Sequence, residues 1–197
     1  MNQTQAFHRR IDEALHNDQL RQNFRSALTG IMAKRAEQFP DDAQLQALRE
    51  QARLVRANAL VRQAELLEQL EARLTQNGIQ VHWAETPEQA NRIIHEILAA
   101  AGARSLVKGK SMVTEETALN DFLERAGLQV METDLGEYII QQAGETPSHI
   151  VGPALHKTAA EVRELFLEKH DLGERELAEN SDLVSEARQV LREHFLG

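Results

Sequence analysis

Two spacings of apolar residues divide this chain. Across residues 4–76 the spacing is that of a helix face. Phe7, Ile11, Ala14 and Leu15 form one stripe, and Leu20, Phe24, Ala27, Leu28, Ile31 and Met32 form the next. Asn17 or Asp18 stands where a helix cap is needed between them. Pro40-Asp41-Asp42 then marks a break and a restart, because proline stops one helix and an aspartate caps another. Leu45, Leu48, Ala52, Val55, Ala59, Leu66, Leu70 and Leu74 continue the stripe to Asn77-Gly78, a helix stop.

Beyond Gly78 short strand patterns alternate with helical ones. Residues 79–83 read as a strand. Thr86-Pro87-Glu88 opens a helix whose buried face is Ile93, Ile94, Ile97 and Leu98. Residues 105–108 form a second strand, 114–126 a helix, 128–132 a third strand, 135–143 a short helix and 149–151 a fourth strand. Thr158 is placed to cap a helix that turns Val162, Leu165 and Phe166 inward, and 181–195 form a last helix. Such alternation with short loops predicts an α/β fold with a parallel sheet. The expected organisation is a helical region over 1–76, packed on an α/β domain over 77–197.

Composition narrows the function classes. The formal net charge of −9 argues against general nucleic-acid binding, which needs clustered cations. No apolar run is long enough to span a bilayer, and the first ten residues lack the apolar core of a secretory signal. The chain contains no cysteine, so it offers neither a thiol nucleophile nor a thiolate ligand for an iron–sulfur cluster. A cytoplasmic location is the expectation these features share.

Three polar blocks fall where strands give way to loops, the place where open α/β sheets bind ligands. In Lys108-Gly109-Lys110-Ser111, Gly109 permits close approach or a positive φ. Ser111 or Thr114 can cap, and amides plus two lysines suit an anion; the competing reading is a solvated βα loop. The glycine spacing is not that of a Walker A loop. Glu132, Asp134 and Glu137 follow the third strand and offer a general base, ribose hydroxyl acceptors or hard-metal ligands; Asp134 reads as a cap instead, while Glu137 stays open. His149 and His156 flank the fourth strand, without the spacing of a helical zinc pair. His156-Lys157 either faces an anion there, or His156 bonds to backbone. No metal site is expected, and Trp83 reads as a packing residue.

The strings Lys110-Ser111-Met112-Val113-Thr114-Glu115-Glu116, Glu132-Thr133-Asp134-Leu135-Gly136-Glu137-Tyr138-Ile139 and Pro147-Ser148-His149-Ile150, with Pro153-Ala154-Leu155-His156-Lys157, resemble the lactate-utilisation protein B family. The module of that family is the LUD domain. Gly109 departs from the small polar residue expected in relatives. The resemblance implies a fold similar to sugar-phosphate isomerases and CoA-transferases. It also implies a part in oxidising lactate to pyruvate, within a complex of several subunits. Relatives are longer and carry 4Fe-4S motifs in their C-terminal part, so this chain looks like an N-terminal portion, with no cofactor of its own. The resemblance gives no catalytic residues. The residues themselves suggest Lys108, Gly109, Lys110 and Ser111 as ligands of an anionic small molecule, with Glu137 and His156 beside them. Partner subunits and a homo-oligomer are the expected associations. Two alternatives stand beside this reading. One is a non-catalytic assembly module; the other, by fold analogy, is a transferase- or isomerase-like domain that binds an anion.

Overall fold

Helix caps and stops along the chain fall where the apolar spacing changes. The computed structural model describes residues 3–148 and 152–196. In order, the elements are α1 (Gln3–His16), α2 (Asp18–Gln38), α3 (Asp42–Val61), α4 (Gln63–Gln76), α5 (Pro87–Ala100), β1 (Ser105–Lys108), α6 (Met112–Glu116), α7 (Leu119–Arg125), β2 (Gln129–Glu132), α8 (Leu135–Ala143), α9 (Ala159–Lys169) and α10 (Asn180–Leu196). Asn17 Oδ1 accepts from Leu20 N at 2.9 Å, and Asp41 Oδ1 caps α3 at Gln44 N, 3.1 Å away. Thr158 and Glu161 form a reciprocal capping box at α9.

The backbone clusters into two units, one of residues 1–29 with 91–197 and one of 30–90. The first holds an α/β fold. β1 and β2 pair in parallel, with Leu106 opposite Val130 and Lys108 opposite Glu132. Neighbouring residues of a strand point to opposite faces, so β2 serves two cores. Val130 packs with Leu119 and Leu123 of α7 and with Ile94 and Leu98 of α5. Met131 packs on the other cluster, built from Tyr138, Ile139, Val162, Phe166, Leu177, Leu183 and Ala187. Helices therefore cover both faces of the sheet, as parallel strands require.

The sheet has two strands among the described residues, not four. Residues 79–83 alternate apolar and polar side chains but find no neighbouring strand. They belong to the second unit, where Trp83 Nε1 donates to Glu71 Oε1 of α4 at 2.9 Å. The strand expected over 149–151 lies outside the described residues. The single helix expected over 114–126 is two, because Ala118 takes a left-handed conformation, with φ of 50°, and breaks it.

The second unit is built differently. No residue between 30 and 90 is buried. Leu54, Val55, Leu60, Val61 and Leu70 are all more than half exposed. The helical ladder continues through the junction of α3 and α4, where Arg62 N bonds Asn58 O and Leu66 N bonds Arg62 O. Arg62 itself departs from helical geometry, with φ −101° and ψ 16°.

Candidate functional site

The parallel register sets the centre of the site. Because Lys108 ends β1 opposite the end of β2, its ammonium meets the Glu132 carboxylate, and both side chains are almost wholly buried. Lys108 Nζ also donates to Thr114 Oγ1 at 3.1 Å, while Asn120 Nδ2 donates to Glu132 Oε1 at 3.0 Å. A buried ion pair of this kind survives desolvation only when such further bonds surround it. Thr133 ties the two strand ends, its N–H and hydroxyl both donating to Lys108 O at 2.7 and 2.9 Å.

The following loop has the close approach expected at Gly109. A side chain there would bring its Cβ to 3.0 Å from Thr133 Oγ1. The positive φ falls one residue later, at Lys110, at 57°. Lys110 pairs with Asp134 while its side chain stays 82 % exposed. Ser111 caps α6, its Oγ 3.4 Å from Thr114 N. Lys108, Gly109, Lys110 and Ser111 thus stand together. Of their two cations, one is neutralised inside and the other pairs at the surface.

Glu137 and His156 stand elsewhere. Glu137 lines a cavity of about 340 Å³ with Asn120, Glu132, Gln141 and Glu145. Its Oε2 is buried with no hydrogen-bond partner among the described residues. His156 is in a second group, which shares Glu145 with that cavity. Its Nε2 lies 2.9 Å from Glu145 Oε2 and its Nδ1 3.1 Å from Ser148 Oγ. The other Glu145 oxygen is held by Lys157. Burial opposes ionisation of Glu145, but the bonds from Lys157 and His156 outweigh it and hold the carboxyl below the usual carboxylate range. Asn23 of α2 donates to His156 O at 2.7 Å, and the Phe24 ring lies 6.0 Å from the imidazole. This group borders a cavity of about 730 Å³. His149 lies outside the described residues.

A further polar network carried no sequence signal. Tyr138 OH lies 2.8 Å from His170 Nε2, His170 Nδ1 lies 3.1 Å from Glu186 Oε1, and Arg175 grips Glu186 at 2.7 and 3.2 Å. Phe166 stacks on His170 with ring centroids 4.3 Å apart. The bond from Arg175, opposed by burial and aided by His170, holds the Glu186 carboxyl below its usual range. Burial first, and then the Glu186 charge, push the Tyr138 phenol up to about 12. The four residues come from α8, α10 and the segment between α9 and α10, with separations of 11 to 32 residues, which no local pattern reveals.

Among the described residues no group of histidines, aspartates and glutamates has metal-holding geometry, and no described helix is long and apolar enough to cross a membrane. A parallel sheet covered by helices on both faces, with polar groups gathered where its strands end, defines a small α/β domain. Residues 67–197 match the LUD domain, and the chain belongs to that family. It is 38 % identical over 194 residues to lactate utilization protein B of Bacillus licheniformis, and 36 % identical over 194 residues to the protein of that name in Bacillus subtilis. It is 37 % identical over 190 residues to the uncharacterized electron transport protein YkgF of Escherichia coli. These alignments cover 96 to 98 % of this chain but about 40 % of each relative. No solved structure matches.

Proposed function

We propose that this chain is the N-terminal part of an iron–sulfur oxidoreductase subunit that takes part in oxidising lactate to pyruvate in the cytoplasm. The supporting observation is identity of 36 to 38 % to lactate utilization protein B, sustained over nearly all of this chain. The chain has no cysteine, so its residues do not fit a 4Fe-4S cluster. Cluster binding and electron transfer then fall to the part of the relatives that this chain does not span. Within this reading the loop of Lys108, Gly109, Lys110 and Ser111 contacts an anionic group, with Glu137 and His156 as outlying polar contacts. The exposed Lys110 ammonium is the accessible cation of that loop.

The test is a hybrid in which this chain replaces the matching portion of the Bacillus subtilis protein. Growth on lactate as sole carbon source is expected. A hybrid that accumulates as folded protein yet gives no growth overturns the reading. The assembly alternative draws on the exposed apolar residues of α3 and α4. It predicts that other subunits of the lactate-utilising complex bind this chain, and that charged substitutions at Val55 and Leu70 abolish that binding.

A further inference from the structure

Ser148, His156 and Glu145 form a chain of hydrogen bonds whose direction can be deduced. Glu145 is held ionised and can only accept, so His156 carries its proton on Nε2 and donates it to Glu145 Oε2 at 2.9 Å. In the neutral ring Nδ1 is then the acceptor, and the Ser148 hydroxyl 3.1 Å away is the donor. Both separations fall within the reach required of a nucleophile, its base and the group that orients the base. The imidazole is fixed independently by Asn23 on its backbone and by the Phe24 ring. Ser148 and His156 border the 730 Å³ cavity, whose wall combines the amides of Asn17 and Asn23 with the apolar Leu20 and Phe24. Lys157, paired with Glu145, brings its ammonium to the same wall.

We propose that Ser148 is a nucleophilic serine, activated by His156 and oriented through Glu145, that accepts the acyl group of a small activated ester. Ser148 Oγ forms a bond to the acyl carbonyl carbon while its proton passes to His156 Nδ1. The carbonyl oxygen gathers negative charge that the Lys157 cation favours. Collapse breaks the bond to the leaving alcohol, which takes the proton back from Nδ1. Water then repeats the sequence to release the acid. Ser148 and His156 are catalytic residues in this scheme, and Glu145 is a positioning residue. The inference stands on this cluster alone and does not depend on the lactate reading.

The test treats the intact 197-residue chain with a fluorophosphonate, which labels activated serines, and follows adducts by peptide mass mapping. Ser148 should be labelled at least about 100-fold faster than the exposed Ser26 and Ser181, in keeping with general-base assistance. His156→Gln should remove that advantage. Glu145→Gln should slow labelling by about tenfold or more, with partial recovery in Glu145→Asp, a pattern that a merely structural carboxylate would not give. Wild-type labelling at Ser148 no faster than at Ser26 overturns the proposal without recourse to any variant. p-Nitrophenyl acetate should likewise give a burst of nitrophenolate that Ser148→Ala lacks, and an equal burst in that variant overturns it too.

Discussion

Two chains of hydroxyl, imidazole, carboxylate and cation run through the same α/β unit in opposite surroundings. Tyr138, His170, Glu186 and Arg175 make one; Ser148, His156, Glu145 and Lys157 make the other. The order of groups is the same, and in each the carboxylate fixes the tautomer of the histidine. Their ends differ. Tyr138 and the Glu186 side chain are each 1 % exposed, whereas Ser148 is only partly buried and the Glu145 side chain is 39 % exposed. A buried hydroxyl and carboxylate make the first chain a strut that joins α8, α9 and α10 around Phe166, with only its Arg175 end, 42 % exposed, reaching solvent. A half-open hydroxyl and carboxylate leave the second with groups that a ligand can reach. Bond geometry alone therefore does not separate a structural relay from a reactive one; access to its hydroxyl does.

The largest effect should come from cutting the sealed chain. Glu186→Ala removes a carboxylate with almost no solvent access and leaves the buried His170 Nδ1 without its acceptor, and an unmet buried donor costs roughly 1–3 kcal/mol. A lower urea midpoint with an unchanged slope measures it. The counterpart Glu145→Ala should cost far less, because solvent reaches that carboxylate. Equal losses in the two variants would erase the distinction between strut and relay.

Acid should act on both chains in the same direction. Glu186 and Glu145 are held below the usual glutamate value of about 4.3, so the unfolded state binds protons first as pH falls. Their contribution is complete above that value and is lost as pH drops through the depressed folded values. The urea midpoint should therefore decline below about pH 4.5, and Glu186→Gln should show a shallower decline than wild type. Alkali tests the sealed chain alone. Tyr138 is the one tyrosine of the sequence, and its phenol is raised to about 12. Stability from the neutral phenol is complete below pH 10 and is lost as pH rises toward 12. The tyrosinate absorbance of native protein should thus stay absent at pH 10.5, where that of urea-unfolded protein is well developed. Tyr138→Phe, which strips His170 Nε2 of its donor, should cost about 1–2 kcal/mol.

Local chemistry was legible in the sequence; long-range pairing was not. Thr158 gave the start of α9, and the run after Asp134 gave α8 with its observed ends. The alternation at residues 79–83 misled because a strand needs a neighbour, and there Trp83 bonds Glu71 instead. Ala118 adopts a left-handed conformation with no glycine or asparagine to announce it. At the site, Lys108 reads in sequence as a loop cation, yet the parallel register carries Glu132, 24 residues on, directly to it. Two strands ending in Lys and Glu juxtapose them only in this register, which no local pattern along either strand fixes. Glu145 and Ser148 carried no role in the sequence because their meaning comes only from His156, 11 and 8 residues on.

The smallest effect sharpens the comparison most. Ser148→Ala removes one hydroxyl from a partly solvated site and leaves His156 Nδ1 beside a cavity where water can serve as donor. A hydrogen bond replaceable by water contributes little net stability, so the loss should be about 0.5 kcal/mol. The urea midpoint of Ser148→Ala should lie close to that of wild type and well above that of Tyr138→Phe, its counterpart in the sealed chain. If Ser148→Ala proves as costly as Tyr138→Phe, the second chain is also a strut. A near-neutral Ser148→Ala that has lost fluorophosphonate labelling would show the two chains to differ in role as they do in exposure.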